Sequence, residues 1–140
     1  MGSSPLSIRF DDAVLERLRR RASARDATPS GWAQRLVDEG LRQQEFVGIV
    51  FRDGPSGRRA GLMGGPDVWE VVSAVRGSDQ RGDAAIIAAA RDLDLSVARV
   101  QTAVAYYGAH AEEIDAEIVE NEIAADEALR AWRAQQQLLS

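Results

Sequence analysis

The chain contains few residues of the types that carry catalytic or metal chemistry. Among its 140 residues there is no cysteine and a single histidine, His110, and every basic residue is an arginine. Disulfide bonds, thiolate chemistry and catalysis by lysine are therefore excluded, and one histidine does not supply the clustered ligands of a zinc site. We find no nucleophile paired with a base. We therefore expect no enzymatic activity, no metal site and no cofactor, and we expect His110 to cap or pack the helix that follows it.

Two other stretches carry groups that bind ions or phosphates in some proteins. Residues 112–127 are rich in carboxylates, but a row of acids on one helix does not form the octahedral cage that Mg²⁺ requires, so a solvated face is the first interpretation. The stretch GLMGGPD, residues 61–67, lacks the spacing of a dinucleotide-binding loop and the lysine of a phosphate-binding loop. We expect its glycines to form a tight turn.

Two polar side chains alternate with apolar ones near the N-terminus, in LSIRF, residues 6–10. Ser7 and Arg9 would lie on one face of a strand, and Leu6, Ile8 and Phe10 on the other. Arginine can donate two hydrogen bonds to guanine, and serine can bond several bases. A lone short strand is not stable in water, so we expect it to pair with the same strand of a second chain. A solvated strand face is the alternative interpretation of Ser7 and Arg9.

Two amphipathic helices are predicted directly after this strand. The first begins at Asp11 or Asp12 and ends at about Ala24. The second has Thr28 as its N-cap and Pro29 at its first helical position, which is a strong start signal, and it ends at about Gln44. Their apolar faces would form one core with the paired strands; these faces comprise Val14, Leu15, Leu18 and Ala22 in the first helix and Trp32, Ala33, Leu36, Val37 and Leu41 in the second.

A strand, a helix, a capped turn and a helix within some forty residues resemble the ribbon-helix-helix DNA-binding family, of which CopG, Arc and MetJ are members. The resemblance rests on PLSIRFDDAVLERL and ATPSGWAQRLVDEGL. It implies a dimeric ribbon that enters the major groove, with Pro5, Ser7 and Arg9 at the positions that touch bases. The family often has a basic or polar residue where this chain has Pro5. The resemblance also implies phosphate anchoring at the start of the second helix, at Thr28 and Ser30.

Charge is distributed unevenly along the chain. Its net charge is −5, yet residues 1–45 carry eight arginines and seven acids, residues 46–108 carry seven of each, and residues 109–140 carry two arginines and eight acids. A mildly basic beginning and an acidic end indicate separate partners for the two ends. No apolar run has the length of a membrane span or a secretory signal. We expect a cytoplasmic protein with no membrane contact.

The second half is predicted to fold as a β-hairpin followed by four helices. The hairpin strands are expected at residues 46–51 and 59–63, around the turn formers of residues 52–57. Helices are expected at about 67–77, 84–92, 96–107 and 111–137. The second and third of these resemble a helix-turn-helix. We interpret them as a packing unit rather than a second DNA reader, because the outward face offers only Arg99 and Gln101.

This second half resembles a small domain found in bacterial antitoxins of VapB-like operons. The matching stretches are GIVFRDGPSGRRAGL, GGPDVWEVV, DLSVARVQTAVAYY and AVAYYGAHAEEIDAEI. The resemblance covers about residues 46–127 and implies a partner of the PIN-like ribonuclease toxin class.

An antitoxin of this kind can neutralise its toxin in two ways. It can cover the basic RNA-binding surface of the nuclease with carboxylates, which favours Glu113, Asp115, Glu117 and Glu120. Alternatively it can insert an arginine into the acidic metal centre, which favours Arg58, Arg59, Arg130 or Arg133. Trp132 is a candidate anchor, because tryptophan and arginine dominate interface energetics; the alternative is that Trp132 packs on its own domain or on a dimer mate.

The sequence therefore predicts a mainly α protein with short β elements, an α+β class, in two domains. Residues 1–45 would be a ribbon-helix-helix head that dimerises and binds operator DNA. Residues 46–140 would be a hairpin and helical domain that ends in a long acidic helix and binds a PIN-like toxin. The expected function is an autorepressing antitoxin, as a homodimer or a higher oligomer. The alternative is a ribbon-helix-helix regulator whose second half serves oligomerisation or ligand binding, and a small enzyme is a third and weaker reading.

Overall fold

The computed structural model describes residues 4–55 and 57–140. Within these ranges the chain is mainly helical and has one two-stranded antiparallel sheet, which confirms the predicted α+β class. The chain divides into two compact units between Arg42 and Gln43; we call them the head and the second unit. The elements are α1 (Asp12–Ala24), α2 (Pro29–Glu45), β1 (Ile49–Gly54), β2 (Gly57–Leu62), α3 (Val68–Arg76), α4 (Asp83–Leu93), α5 (Val97–Ala109) and α6 (Ala111–Leu139).

The head consists of α1, α2 and the segment that precedes them. Asp11 occupies the N-cap position of α1, and its carbonyl accepts from the backbone N–H of Leu15 at 2.9 Å. Thr28 caps α2, because its hydroxyl accepts a hydrogen bond from the backbone N–H of Gly31 at 3.1 Å. Among the described residues of the head, burial is confined to Ala22, Trp32 and Glu39. The two helices therefore enclose very little core of their own.

The predicted strand over residues 6–10 is not a strand in the single chain. Residues 4–11 belong to neither a helix nor a strand, and the side chains of Leu6 and Ile8 are exposed. The physical reason is that a strand is defined by ladder hydrogen bonds to a neighbour. The one sheet in the described part of the chain consists of β1 and β2 of the second unit. The intermolecular ribbon therefore stays a prediction.

The second unit begins with the hairpin. β1 and β2 pair in antiparallel register, with Ile49 opposite Leu62 and Gly54 opposite Gly57. The strands start and end a few residues away from the bounds that the apolar pattern suggests, and Ser56, one of the predicted turn residues, lies outside the described residues. Ile49 and Leu62 enter a core shared with α3, α4, α5 and the start of α6.

The glycine-rich turn after β2 is shaped around an arginine side chain. Arg52 of β1 donates to both the carbonyl of Gly65, at 2.7 Å, and the carboxylate of Asp67, at 2.8 and 3.0 Å. A Cβ on Gly61 would lie 2.3 Å from the Arg52 guanidinium, and Gly64 has a positive φ of 65°. The tight turn is the role that the sequence predicts for the glycines of GLMGGPD, whereas the room that Gly61 leaves for Arg52 is a further role that the sequence did not predict.

The helical hairpin of α4 and α5 is joined by a short turn. Asp94 adopts the left-handed conformation that ends α4, and Ser96 caps α5 by accepting from the backbone N–H of Arg99 at 3.2 Å. The Arg99 side chain donates to the carbonyl of Met63. Because Arg99 is tied to the glycine-rich turn, this hairpin packs within its own unit.

The last helix, α6, packs on the second unit only through its first two turns. Ile114 and Ile118 are buried. From Val119 to Ser140 every residue is exposed. Since each helical residue adds about 1.5 Å, the exposed part is about 30 Å long. We call Val119–Leu139 the projecting segment. None of the helices within residues 4–55 and 57–140 combines the length and the apolarity needed to cross a membrane.

Candidate functional site

The head presents the residues that were predicted to contact DNA on its surface. Pro5, Ser7, Arg9, Thr28 and Ser30 are largely accessible. Ser7 and Arg9 lie on a shallow concavity that continues to the first turns of α1. The Thr28 oxygen accepts the bond from Gly31 that caps α2, and its hydroxyl hydrogen can still donate to a ligand. Residues 5–9 thus expose a guanidinium and a hydroxyl, and their contact with DNA stays a prediction.

An open apolar groove of about 260 Å³ lies between α1 and α2 of the head. It is lined by seven apolar residues and two arginines: Phe10, Val14, Leu18, Trp32, Ala33, Leu36 and Val37, with Arg17 and Arg21. Val14, Leu36 and Val37 are at least 40 % exposed. These are the same apolar side chains that the helical periodicity assigned to a core. The groove therefore exposes apolar side chains of both helices.

Two of the predicted toxin-binding acids are held by partners inside the second unit. Glu113 accepts a hydrogen bond from the buried Tyr106 hydroxyl at 2.8 Å. Asp115 pairs with Arg76 of α3 at 2.6 Å and accepts from the Tyr107 hydroxyl at 3.1 Å. The Arg76 hydrogen bond holds the pKa of Asp115 below its usual range. The tyrosine pair and the acids that follow it therefore join α5 to α6.

The two arginines of β2 are also engaged within the second unit. Arg58 faces Asp53 across the hairpin at 3.6 Å. Arg59 lies 3.9 Å from Glu117 and 3.7 Å from Glu120 of α6, and only 10 % of its side chain is exposed. Arg59 therefore links the hairpin to α6 at the turn where the projecting segment begins.

Glu117 is the most perturbed carboxylate of this cluster. Its two carboxylate oxygens are buried and have no hydrogen-bond partner in the described part of the chain. Burial is the main cause that raises its pKa to about 7; the neighbouring Glu113, Asp67 and Glu120 carboxylates add to this effect, and Arg59 opposes it. The desolvation of Glu117 outweighs the attraction of Arg59 because 3.9 Å is too long for a hydrogen bond between the two groups.

The remaining predicted toxin-binding residues lie on the projecting segment. Arg130, Trp132 and Arg133 are exposed, and 56 % of the Trp132 side chain is accessible. At about 100° per residue, Ala125, Leu129 and Trp132 continue the face that Ile114 and Ile118 bury closer to the start of α6. This apolar stripe therefore runs beyond the core that covers its first part.

The single histidine packs as expected. His110 stands between α5 and α6, and its ring lies 4.5 Å from the Tyr106 ring and 6.1 Å from the Phe46 ring, measured between centroids. Its side chain makes no capping hydrogen bond to α6. Within the described residues, no group of three or more histidines, cysteines or acids is arranged to hold a metal ion.

Sequence reasoning missed the arginines that organise the second unit. Arg76 bonds both Tyr107 and Asp115, and Arg52 binds Asp67 and the glycine-rich turn. The Arg76 to Asp115 contact joins residues 39 positions apart. An unusual density of glycine around residues 61–65 was the one local signal, since glycine permits another group to approach the backbone closely.

Comparisons of this chain with protein-family models, with curated proteins and with solved structures give no match. The geometry of the head and of α6 is therefore the basis of the functional assignment below.

Proposed function

We propose that this chain is a dimeric DNA-binding antitoxin, which represses its own operon through the head and neutralises a PIN-like ribonuclease toxin through the second unit. The observation that carries the proposal is that one chain has two exposed apolar surfaces, the head groove and the stripe of α6. The head leaves an apolar groove open between its helices, and α6 projects an apolar stripe with charged flanks into solvent. Each surface needs a different partner.

A second copy of the chain is the proposed occupant of the head groove. Folded units of about 40 residues usually need disulfides, metals or oligomerisation for stability, and this chain has no cysteine. Pairing of residues 6–10 between two copies would turn Leu6, Ile8 and Phe10 towards the groove. The same pairing would leave Ser7 and Arg9 on the outer face of the ribbon, where Arg9 can read a guanine.

A toxin is the proposed occupant of the projecting segment. Within the described part of the chain, the tertiary contact of this segment is the ion pair of Glu120 with Arg59 at 3.7 Å. A helix of some 20 residues with so little packing is only marginally stable in water, because packing supplies most helical stability in proteins. The segment carries Glu120, Glu122, Asp126 and Glu127 along its first half and Arg130 and Arg133 around Trp132. Its acids suit the basic surface of an RNA-cleaving enzyme. Because Arg58, Arg59, Glu113 and Asp115 are engaged internally, Trp132 and its flanking arginines become the preferred contact residues.

The test is co-expression of the tagged chain with the neighbouring gene, followed by a salt wash. A retained small protein that arrests growth when expressed alone supports the antitoxin assignment. Trp132→Ala is expected to reduce retention at least tenfold. Ile123→Ala is the matched control, because Ile123 is 53 % exposed and lies on the opposite side of the helix, nine residues or about 180° away.

The same preparation tests the DNA-binding half of the proposal. The full chain should shift a duplex taken from the region directly upstream of its coding sequence, and Arg9→Ala should abolish the shift. Loss of the shift in Arg9→Ala with an intact dimer would identify Arg9 as a contact residue. Equal shifts for both proteins would contradict the assignment of Arg9.

A plain transcriptional regulator is the second candidate, and the apolar stripe of α6 also favours it. In that case the stripe pairs with the same helix of another copy. The chain would then bind DNA in an Arg9-dependent way and retain no partner protein, and Trp132→Ala would lower its oligomeric state.

A further inference from the structure

One face of α1 carries a cluster of arginines that the groove and the strand do not explain. Arg17, Arg20 and Arg21 are spaced by three and four residues, so they share one side of the helix. All three are exposed, and together they line a concave part of the head surface. We call this set the α1 arginine face.

The positive charge of this face is largely uncompensated. Arg20 approaches Glu16 at 4.0 Å, but both side chains are more than two-thirds exposed, and such pairs contribute little. Arg17 and Arg21 form no ion pair within residues 4–55 and 57–140. Three guanidinium groups therefore meet at one concavity with a single weakly bound carboxylate beside them.

The α1 arginine face borders the segment that the proposed function places against DNA. It also borders the first turn of α2, where the sequence resemblance implies phosphate anchoring. Arg17 and Arg21 line the groove together with Phe10 and Trp32. Phe10 directly follows Arg9 in the chain. Trp32 lies in the first turn of α2, and the Arg25 guanidinium stacks 4.0 Å from its ring centroid. The face thus connects the base-reading segment with the start of α2.

The chemistry of the concavity favours a phosphate backbone over a protein partner. Among the described residues its lining consists of the three arginines alone, without an apolar side chain. Protein interfaces have cores that are depleted of charge and enriched in aromatic residues. Guanidinium groups, in contrast, bind phosphate oxygens through two parallel hydrogen bonds and need no apolar core to do so.

We infer that the α1 arginine face binds the phosphate backbone of DNA next to the site read by Ser7 and Arg9, an inference that rests on the DNA-binding half of the proposed function. Contacts of this kind set register and affinity without reading sequence. Arg9 then accounts for specificity, and Arg17, Arg20 and Arg21 account for affinity and its dependence on salt.

Fluorescence anisotropy with the full chain tests this inference. Two labelled duplexes are used, one from the region upstream of the coding sequence and one with the same bases in scrambled order, each from about 50 to 200 mM salt. The triple variant Arg17→Ala/Arg20→Ala/Arg21→Ala should bind both duplexes at least tenfold more weakly at the same salt. The slope of log affinity against log salt should decrease by about 0.9 for each phosphate that the variant no longer neutralises.

Arg19→Ala is the matched control on the same helix. Arg19 is exposed and lies about 200° around α1 from Arg17, and its replacement removes the same charge as Arg17→Ala or Arg21→Ala. The inference predicts that Arg17→Ala and Arg21→Ala each weaken binding severalfold more than Arg19→Ala does. Alanine favours a helix, so all variants are expected to keep the far-ultraviolet circular dichroism of the wild type.

The possible results distinguish a failure of the proposed DNA-binding function from a failure of the phosphate-binding inference. If the wild type binds neither duplex, the DNA-binding function fails and the inference fails with it. If the wild type binds and Arg17→Ala and Arg21→Ala behave like Arg19→Ala, the proposed function survives and the inference is overturned. If the triple variant keeps its DNA affinity but loses a retained protein, the face is a protein interface, which also overturns the inference.

Discussion

The two units of this chain differ in how much of their apolar surface each buries within itself. The second unit buries thirteen hydrophobic residues in one cluster, from Ile49 to Ile118. Burial among the described residues of the head is limited to two apolar side chains and Glu39, although the apolar periodicity of α1 and α2 is just as clear. Amphipathic helices need a surface to cover, and the hairpin and helices of the second unit cover each other. The helices of the head leave their groove open.

The contrast extends to charged groups. In the second unit Arg52, Arg59, Arg76 and Arg99 each bind a carboxylate or a backbone carbonyl of the same unit. In the head, Arg17 and Arg21 project without an ion pair in the described residues. The contrast is one of degree, because Arg35 and Arg42 of the head also pair, with Glu39 and Asp38 of α2, whereas Arg17 and Arg21 of α1 stay exposed.

The largest expected effect comes from opening the core of the second unit. Leu62 is 1 % exposed, so Leu62→Ala should reduce the free energy of unfolding by about 3 kcal/mol through reduced burial and the resulting cavity. Leu138→Ala, at the exposed end of α6, should change it by less than about 0.5 kcal/mol. Urea unfolding followed by circular dichroism measures both. Similar values for the two variants would contradict the described core.

The next effect concerns the head groove and the dimer proposed to form through it. Val37 is 54 % exposed in the single chain, so Val37→Asp should scarcely disturb the isolated fold. A buried unpaired carboxylate in a dimer core should raise the dissociation constant at least 100-fold, equivalent to about 2.7 kcal/mol. Sedimentation equilibrium gives the constant. Val119→Asp is the control with similar exposure, 51 %, in the second unit, and an unchanged dimer in Val37→Asp would reject the groove as the dimer interface.

The buried carboxylate of Glu117 makes the stability of the second unit depend on pH. Its pKa is raised from 4.5 to about 7 in the folded chain, so between these values the folded state binds more protons than the unfolded state. Stability therefore decreases as pH rises through this window. Glu117→Gln should remove that decrease. Its free energy of unfolding should exceed that of the wild type by on the order of 1 kcal/mol at pH 8, with a smaller difference at pH 5.

Unfolding by urea at several pH values measures this difference. Glu122→Gln is the control, because Glu122 lies on the exposed projecting segment and should show the same pH profile as the wild type. Parallel profiles for Glu117→Gln and the wild type would mean that Glu117 is hydrated.

The smallest effect is expected at the hairpin. Arg58 and Asp53 are cross-strand neighbours at 3.6 Å, and the Asp53 side chain is 60 % exposed. Solvent screens such a pair, so Arg58→Ala should lower the unfolding free energy by about 0.5 kcal/mol. Arg81→Ala, in the exposed loop before α4, is the matched control. Thermal unfolding of both variants should show a smaller change of the midpoint for Arg81→Ala than for Arg58→Ala. A loss of several kcal/mol at Arg58 would show that more than this pair depends on its guanidinium.

Local patterns in the sequence predict the helices well because their signals are local. Thr28 with Pro29 and Ser96 mark helix starts through their own side chains and backbone, and the long stripe from Ile114 to Trp132 marks α6. The strand over residues 6–10 behaves differently. Alternation places Ser7 and Arg9 on one face, yet a strand exists only with a partner, and within the described residues the single chain carries none there.

The candidate site shows the same limit. Alternation pairs Ser7 with Arg9 and helical spacing places Trp132 on the apolar stripe of α6, but these patterns do not decide exposure: Leu6, Ile8 and Trp132 are all more than half exposed. The burial of Arg59 between Glu117 and Glu120, however, depends on contacts between β2 and α6 that join residues some sixty positions apart. The sequence offered Arg59 as a free cation because no local rule reports such a distant partner, whereas the partner of Arg58 is Asp53, its neighbour across the hairpin.

Local sequence patterns therefore predict where the helices begin and end and which faces are apolar, and the composition gives a mildly basic first part and an acidic last part. Contacts between distant elements select which of those faces become a core and which charges stay exposed. The apolar stripe of α6 is continuous in sequence, but the second unit is large enough to cover only Ile114 and Ile118. Burial depends on what lies opposite a side chain, and that is set by the fold as a whole.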